Sequence, residues 1–536
     1  MRRKKVSTII FFLIESKLMK WRLLILLLIA ALLSVRLIKL NADPPLVFPN
    51  GFRAIEPFTD EAAKACQARN LVLFGKWNTS DQDDYRFWKV LSPAWVYSLT
   101  GWFGLLGVST ASMRLFSVSW FGAGMILIYL SLRKKPGPRA SVYALFFYGI
   151  NFYLLIFSRL GLMETMLNAF LLAAFCLLSL GKGRKWLFPA GIIVFFAAYF
   201  VKQNALLFAP VFVAGYFLAF GAPWKKEFWK NPANWLSLVI AIVAAAYLYH
   251  LWDQPLYRLY TVMNLRHGYG LPPDASRAGM VIRPDLMKAS LIYHLSPKGL
   301  WQNFLAFDPM AGLLAVFAMA SVVYSLLRKK EVADAELLAG VWLLSIQGLM
   351  LLSSARVIRF WILEMPALVI LAGAGLFRLE KLFAKSGKIK FSVIAIVLLA
   401  SFEFNFRHWL DWQNHAQYQM RDAGKKLEQA LGDKPVVVVG KWAGPLLLNS
   451  KHQYYYIKNI FNRRPEQLQS FGINYLLLGD VPGLVRDKFE LANDPYFKSY
   501  AAAFPERFEK KVPVASFKFY DGELTLYRVD SGLSHP

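Results

Sequence analysis

The chain has 536 residues, 56% of them hydrophobic and 16% aromatic, with a mean hydropathy of +0.37 and a formal charge of +28. A soluble globule of this size would not carry so many apolar runs near bilayer length, about 20 residues per helix. The basic residues mostly flank those runs, which points to cytoplasmic loops and anionic lipid headgroups and away from nucleic acid.

The positive-inside rule sets a path through the bilayer. The basic N-terminus, from Arg2 to Arg22, is placed in the cytoplasm. The run Trp21 to Ile38 is too long for a signal core and lacks a cleavage site, so it reads as a retained first span, with Arg36 snorkelling at its outer end. Residues 39–113 form a large outer loop. Within it, Leu91 to Val108 is interrupted by Pro93, Gly101, Gly104 and Gly107 and reads as a helix on the outer surface. Leu115 to Leu132 returns to the basic cluster Arg133, Lys134, Lys135 and Arg139.

Further spans are predicted over 141–157, 165–180, 186–200, 206–220, 235–249, 310–327, 337–352, 360–377 and 391–404. A second large outer loop covers 252–309. This gives about eleven spans, with every strong basic cluster inside. Residues 1–405 thus form one polytopic helical unit, and 406–536 change character. There the apolar runs shorten to strand length (436–439, 475–478 and 524–529) around a helix over 418–431, with turn formers at Gly440, Pro445 and Gly479-Asp480. A small extracytoplasmic α/β domain is expected. Cys66 falls in the first loop and Cys176 in a span, so a disulfide between them is not expected.

Threading sorts the polar residues by side. Asp60 and Glu61, Arg159 and Glu164, Lys202, and Arg356 with Arg359 all fall in outer loops or turns. Ionisable groups at membrane depth are functional candidates. Each also has a plainer reading. Asp60 or Glu61 could start a helix near Thr59. Glu164 could pair with Arg159. Lys202 could snorkel, and the arginines could bind lipid phosphate. Together they suggest group transfer from a phosphate-bearing lipid. Arginine and lysine would hold the phosphate, a carboxylate would take a proton from the acceptor hydroxyl, and a divalent cation held by the acids would share the charge.

Several segments resemble the C class of glycosyltransferases (GT-C), in the branch of aminoarabinose and protein O-mannosyl transferases. They are Glu56-Pro57-Phe58-Thr59-Asp60-Glu61-Ala62, the helix from Ser92-Pro93 to Phe103-Gly104, Met113-Arg114-Leu115-Phe116-Ser117, the turn Phe157 to Glu164, Tyr199-Phe200-Val201-Lys202-Gln203, and Arg359 to Leu368. The resemblance spans most of residues 20–405. It implies an enzyme of the cytoplasmic (inner) membrane that moves a hexose or pentose from a polyprenyl-phosphate donor to an envelope lipid (such as lipid A), glycan or protein hydroxyl outside that membrane, with inversion.

It also implies roles. Asp60 is the candidate base, Glu61 and Glu164 assist it, and Asp60 with Glu164 is a candidate cation site. Lys202, Arg359 and Arg356 would hold the donor phosphate. His267 and Tyr269 in the second loop are candidates for the acceptor side. The sequence departs from the family pattern at Gln203 and Glu364. The competing reading is a transporter or flippase of a lipid-linked anionic substrate. It would place charges mid-span, whereas here they gather at the span ends.

Overall fold

The computed structural model describes residues 25–49, 56–78, 87–181, 184–221, 226–255, 304–352, 361–384, 386–440, 442–455, 472–480 and 512–528, with a few isolated residues between these stretches. The candidates Arg356, Arg359, His267 and Tyr269 lie outside the described residues, as does most of the 252–309 loop.

Helices dominate. The first apolar run forms α1 (Ile25–Leu37). The first loop contributes α2 (Glu56–Phe74) and α3 (Pro93–Leu106). Then come α4 (Thr110–Leu132), α5 (Pro138–Ile150), α6 (Phe152–Phe157), α7 (Met163–Leu180), α8 (Leu187–Val201) and, after a 3-10 turn over Gln203–Phe208, α9 (Ala209–Phe220). The bundle is completed by α10 (Pro232–Asp253), α11 (Pro309–Leu327), α12 (Asp334–Leu352), α13 (Met365–Leu382) and α14 (Gly387–Asn414). Each of the eleven predicted apolar segments coincides with helix. Among the described residues, six helices are long and apolar enough to cross a membrane on their own. Helices α12 and α13 carry ionisable side chains instead: Glu336 pairs with Arg378, and Glu380 with Arg139.

One break was not foreseen. The predicted 141–157 span splits at Asn151, whose backbone leaves the helical region and whose Oδ1 accepts from Leu154 N at 3.0 Å, capping α6. The same side chain donates to Phe307 O at 2.9 Å, so the break is tied to the start of α11. The expected turn between the 186–200 and 206–220 spans is present at Lys202, which ends α8 in extended geometry.

Burial separates core from periphery. The apolar window of α7 is 72% buried within the protein, that of α10 only 6%. Val239, Ile242 and Val243 on α10 are exposed on a surface that suits lipid. Between buried helices close approach comes from small residues. A β-carbon on Gly373 of α13 would strike the Ala140–Ala144 turn of α5.

Helix α3 is 14 residues long, with Pro93 at its start and Gly107 following it at φ 78°. At 1.5 Å per residue it rises about 21 Å, short of a bilayer. Trp95, Val96, Leu99 and Phe103 are buried, whereas Tyr97, Leu105 and Leu106 are exposed. This fits the predicted non-crossing helix.

The C-terminal part is α/β. Helix α15 (Gln419–Leu431) and a short α16 (Ala443–Leu447) pack with five strands: β1 (Val437–Val439), β2 (Gln453–Tyr455), β3 (Tyr475–Asp480), β4 (Val512–Phe519) and β5 (Gly522–Arg528). The sheet order is β2-β1-β3-β5-β4, parallel across β2-β1-β3 and antiparallel beyond. Strands β2 and β4 were not anticipated. Nor does Gly479-Asp480 turn: both residues stay in the ladder, opposite Leu524 and Glu523.

Candidate active site

The Asp60–Glu61 pair does not start a helix. Helix α2 begins at Glu56, so both acids lie beyond its first turn. They differ sharply. The Asp60 side chain is 26% exposed, and Lys64, one turn on, donates to its Oδ2 at 2.7 Å. Lys64 is itself buried, its ammonium 5.2 Å from the Trp88 ring centre, while its backbone carbonyl accepts from Trp95 Nε1 at 3.0 Å. Trp88 and α3 thus fix the lysine that orients Asp60.

Glu61 is buried and bidentate with Arg114 of α4. Arg114 Nε donates to Oε1 at 3.1 Å and Nη2 to Oε2 at 2.8 Å. Oε1 also accepts from Gly161 N at 2.6 Å. Arg114 Nη1 donates to the carbonyls of Leu40 and Ala42. Glu61 therefore fastens α2, the start of α4, the first-loop chain after α1, and the 158–162 turn. A β-carbon at 161 would run into the Met113 side chain, which would have to shift to admit it.

That turn leads into α7, whose first turn carries Glu164. Glu164 is buried, and Lys202 Nζ donates to its Oε1 at 2.5 Å. Lys202 neither snorkels to headgroups nor leaves Glu164 to Arg159. Gln203 beside it donates to Tyr257 OH at 3.1 Å and Thr261 Oγ1 at 3.0 Å, joining the lysine turn to the start of the second large loop. The structure thus brings Glu61 to the Glu164 turn and Glu164 to Lys202.

Arg36 does not snorkel either. It is fully buried, donates from Nε to Ser158 Oγ at 2.9 Å, and lies 3.8 Å over the Phe121 ring. Arg159 donates to the Lys39 carbonyl and stacks on Trp412 at 4.4 Å. Burial, then the charges of Arg114 and Arg36, pull its guanidinium pKa down to about 9.

Sequence reasoning missed the residues that lock this end to the C-terminal sheet. Asp43 is buried. Its Oδ2 accepts from Tyr520 OH at 2.7 Å, and its carbonyl from Trp412 Nε1 at 3.0 Å. Burial pushes the Asp43 carboxyl up to about 6, against the opposing pull of Tyr520 and Arg114. Arg69 of α2 donates to the carbonyls of Leu447, Leu448, Ser450 and His452. Tyr454 OH donates to Ala62 O at 3.2 Å. A basic residue on the inner face of α2 was the available signal for Arg69. Asp43 and Tyr520 are 477 residues apart and gave none.

Among the described residues, no three His, Cys, Asp or Glu side chains converge as a metal ligand set. Glu61 and Glu164 are already balanced by Arg114 and Lys202. Of the two acids expected to hold a cation, Glu164 is paired with Lys202 and Asp60 with Lys64.

No protein-family model matches the chain, and no curated protein matches it. Solved structures do. ArnT from Cupriavidus metallidurans bound to undecaprenyl phosphate matches with a TM-score of 0.57 at 15% identity, over 95% of this chain and 99% of that one. Its apo state matches with 0.56 at 15% identity, over 95% and 98%. The Archaeoglobus fulgidus oligosaccharyltransferase AglB, in complex with an inhibitory peptide and a dolichol-phosphate, reaches only 0.46 at 13% identity, over 84% and 69%. At such identities it is the fold that is shared: along nearly its whole length the chain has the polytopic helical fold of the ArnT structures.

Proposed function

We propose that the protein is a glycosyltransferase that moves a sugar from a polyprenyl-phosphate donor to a hydroxyl of an envelope lipid, glycan or protein. The observation that carries this reading is the division of labour at the acidic end. A partly exposed Asp60 is oriented by Lys64, next to a buried Glu61 that fastens two loops, and a lysine–glutamate pair stands one turn away. The ArnT structure with undecaprenyl phosphate supports the class of donor.

In this reading Asp60 accepts the proton of the acceptor hydroxyl. The oxygen attacks the sugar's anomeric carbon from the face opposite the phosphate, and the carbon–oxygen bond to phosphate breaks with inversion. The leaving phosphate keeps the electron pair, and its growing charge is met by Lys202 and, as the sequence resemblance implies, by Arg359 and Arg356. Glu164 holds Lys202 in place. Glu61 acts through Arg114 and Gly161 as a positioning residue, a narrower role than assisting the base. The acidic end would face outward, with the C-terminal sheet outside the cytoplasmic membrane.

The test is mass spectrometry of envelope lipids and glycans from cells carrying the wild-type gene, no gene, or Asp60→Asn. A sugar lost without the gene and equally lost with Asp60→Asn is expected. Full modification with Asp60→Asn would overturn the assignment of the base. No difference on deletion would overturn the transferase reading.

A further inference from the structure

The opposite end of the bundle holds a cleft of about 430 Å³ that the transfer chemistry does not use. From Arg114 to Leu132, α4 rises about 27 Å away from the acidic end, and the chain then turns into α5 at Pro138 and Arg139. The cleft lies where the start of α5, the end of α13 and the start of α14 meet.

Three cations line it, Arg139, Lys381 and Lys390, against a single carboxylate, Glu380. Glu380 is buried and shared. It accepts from Arg139 Nη1, from Lys390 Nζ at 2.8 Å and from Tyr143 OH at 3.0 Å. Among the described residues no carboxylate pairs with Lys381, whose ammonium lies 4.4 Å from the centre of the Phe377 ring. The cleft therefore carries a surplus of two positive charges on groups already held in place. Its surroundings are apolar. Leu382, Ile389 and Phe391, next in sequence to Lys381 and Lys390, are exposed. Cations converging on a cleft beside exposed apolar side chains match a phosphate attached to acyl chains better than a phosphate in water.

We propose that this cleft binds the phosphate headgroup of an anionic membrane lipid, with Lys381 and Lys390 as its cationic contacts and Glu380 fixing Lys390 and Arg139. The site is independent of the transferase reading, since it shares no residue with the acidic end.

Native mass spectrometry of the full-length protein tests it, with equal amounts of phosphatidylglycerol and phosphatidylcholine supplied in detergent. The wild type should retain phosphatidylglycerol preferentially. Lys381→Gln should lower that retention about fivefold, the scale of one basic residue at an anionic headgroup, and Lys381→Gln with Lys390→Gln should lower it further. Lys381 is exposed, so an unchanged melting temperature is expected to accompany the loss. Equal retention of the two lipids, or undiminished retention in Lys381→Gln, would overturn the proposal. Displacement of phosphatidylglycerol by inorganic phosphate alone would assign the cleft to free phosphate and overturn the lipid.

Discussion

Glu61 and Glu164 are both buried carboxylates at the same end of the bundle, Glu61 paired with Arg114 and Glu164 with Lys202. The cations differ in what else they do. Arg114 uses its other nitrogen on the carbonyls of Leu40 and Ala42, so the Glu61 pair is knitted into the backbone on both sides. Lys202 stands where α8 breaks into a 3-10 turn, on a single flexible stem, in a turn whose next residue reaches the second large loop. A guanidinium held by four bonds is a structural rivet. An ammonium at a helix break is a group that can meet a ligand. Burial of two acids at one end therefore does not imply identical roles.

The comparison can be broken first at Asp60, the acid outside both pairs. Asp60→Asn should lower transfer by roughly 10²–10⁴-fold, the usual scale for a positioned base, with the melting temperature unchanged. A melting shift as large as that of a Glu61 variant would make Asp60 another rivet.

Glu61→Gln should do the converse. It leaves Arg114 buried without its counter-charge, a loss on the order of 3–5 kcal/mol, read as a lower midpoint in thermal or denaturant unfolding. If Glu61→Gln left stability intact while removing activity, the two acids would have to exchange roles.

Gly161→Ala tests the turn that joins them. Its β-carbon meets the flexible Met113 side chain, so the cost should be about 1–3 kcal/mol. Met113→Ala should restore most of it in the double variant. Failure of that rescue would place the strain elsewhere.

The smallest effect concerns pH. The Asp43 carboxyl sits at about 6 in the folded protein against 3.8 in the open chain. The fold thus favours its protonated form. That stabilisation is fully present below about pH 3.8 and is lost as pH rises through 6. By linkage the swing is at most ~3 kcal/mol. The midpoint should rise between pH 7 and pH 5 by a component missing from Asp43→Asn. An identical pH profile in that variant would remove Asp43 as the source.

Most of the helical architecture was legible, because apolar length and basic flanks are one-dimensional signals. What escaped depends on contacts between distant segments. Asn151 could be read as a possible cap, but only Phe307 explains why the chain breaks there. Strand β4 carries Pro513, which reads as a strand breaker. It is tolerated on the sheet edge, beside a register shift between Pro513 and Ala515. Strand β2 has three residues, too few for a pattern. At the site, the clustering of Asp60, Glu61, Glu164 and Lys202 at one end followed from threading the chain. Their pairing did not: Lys64 was within reach of helical spacing from Asp60, whereas Arg114 lies 53 residues from Glu61.

Arg69 has a consequence for the order of synthesis. Its partners at Leu447 to His452 emerge from the ribosome nearly four hundred residues after it. Until they arrive, the helix bearing Asp60 and Glu61 holds a cation with nowhere dry to go, and the acidic end stays unfinished. The helix is thus among the first parts made, yet Arg69 gains its carbonyl partners only when residues 447–452 are in place. A chain cut short before residue 447 would strand that charge and carry an incomplete acidic end.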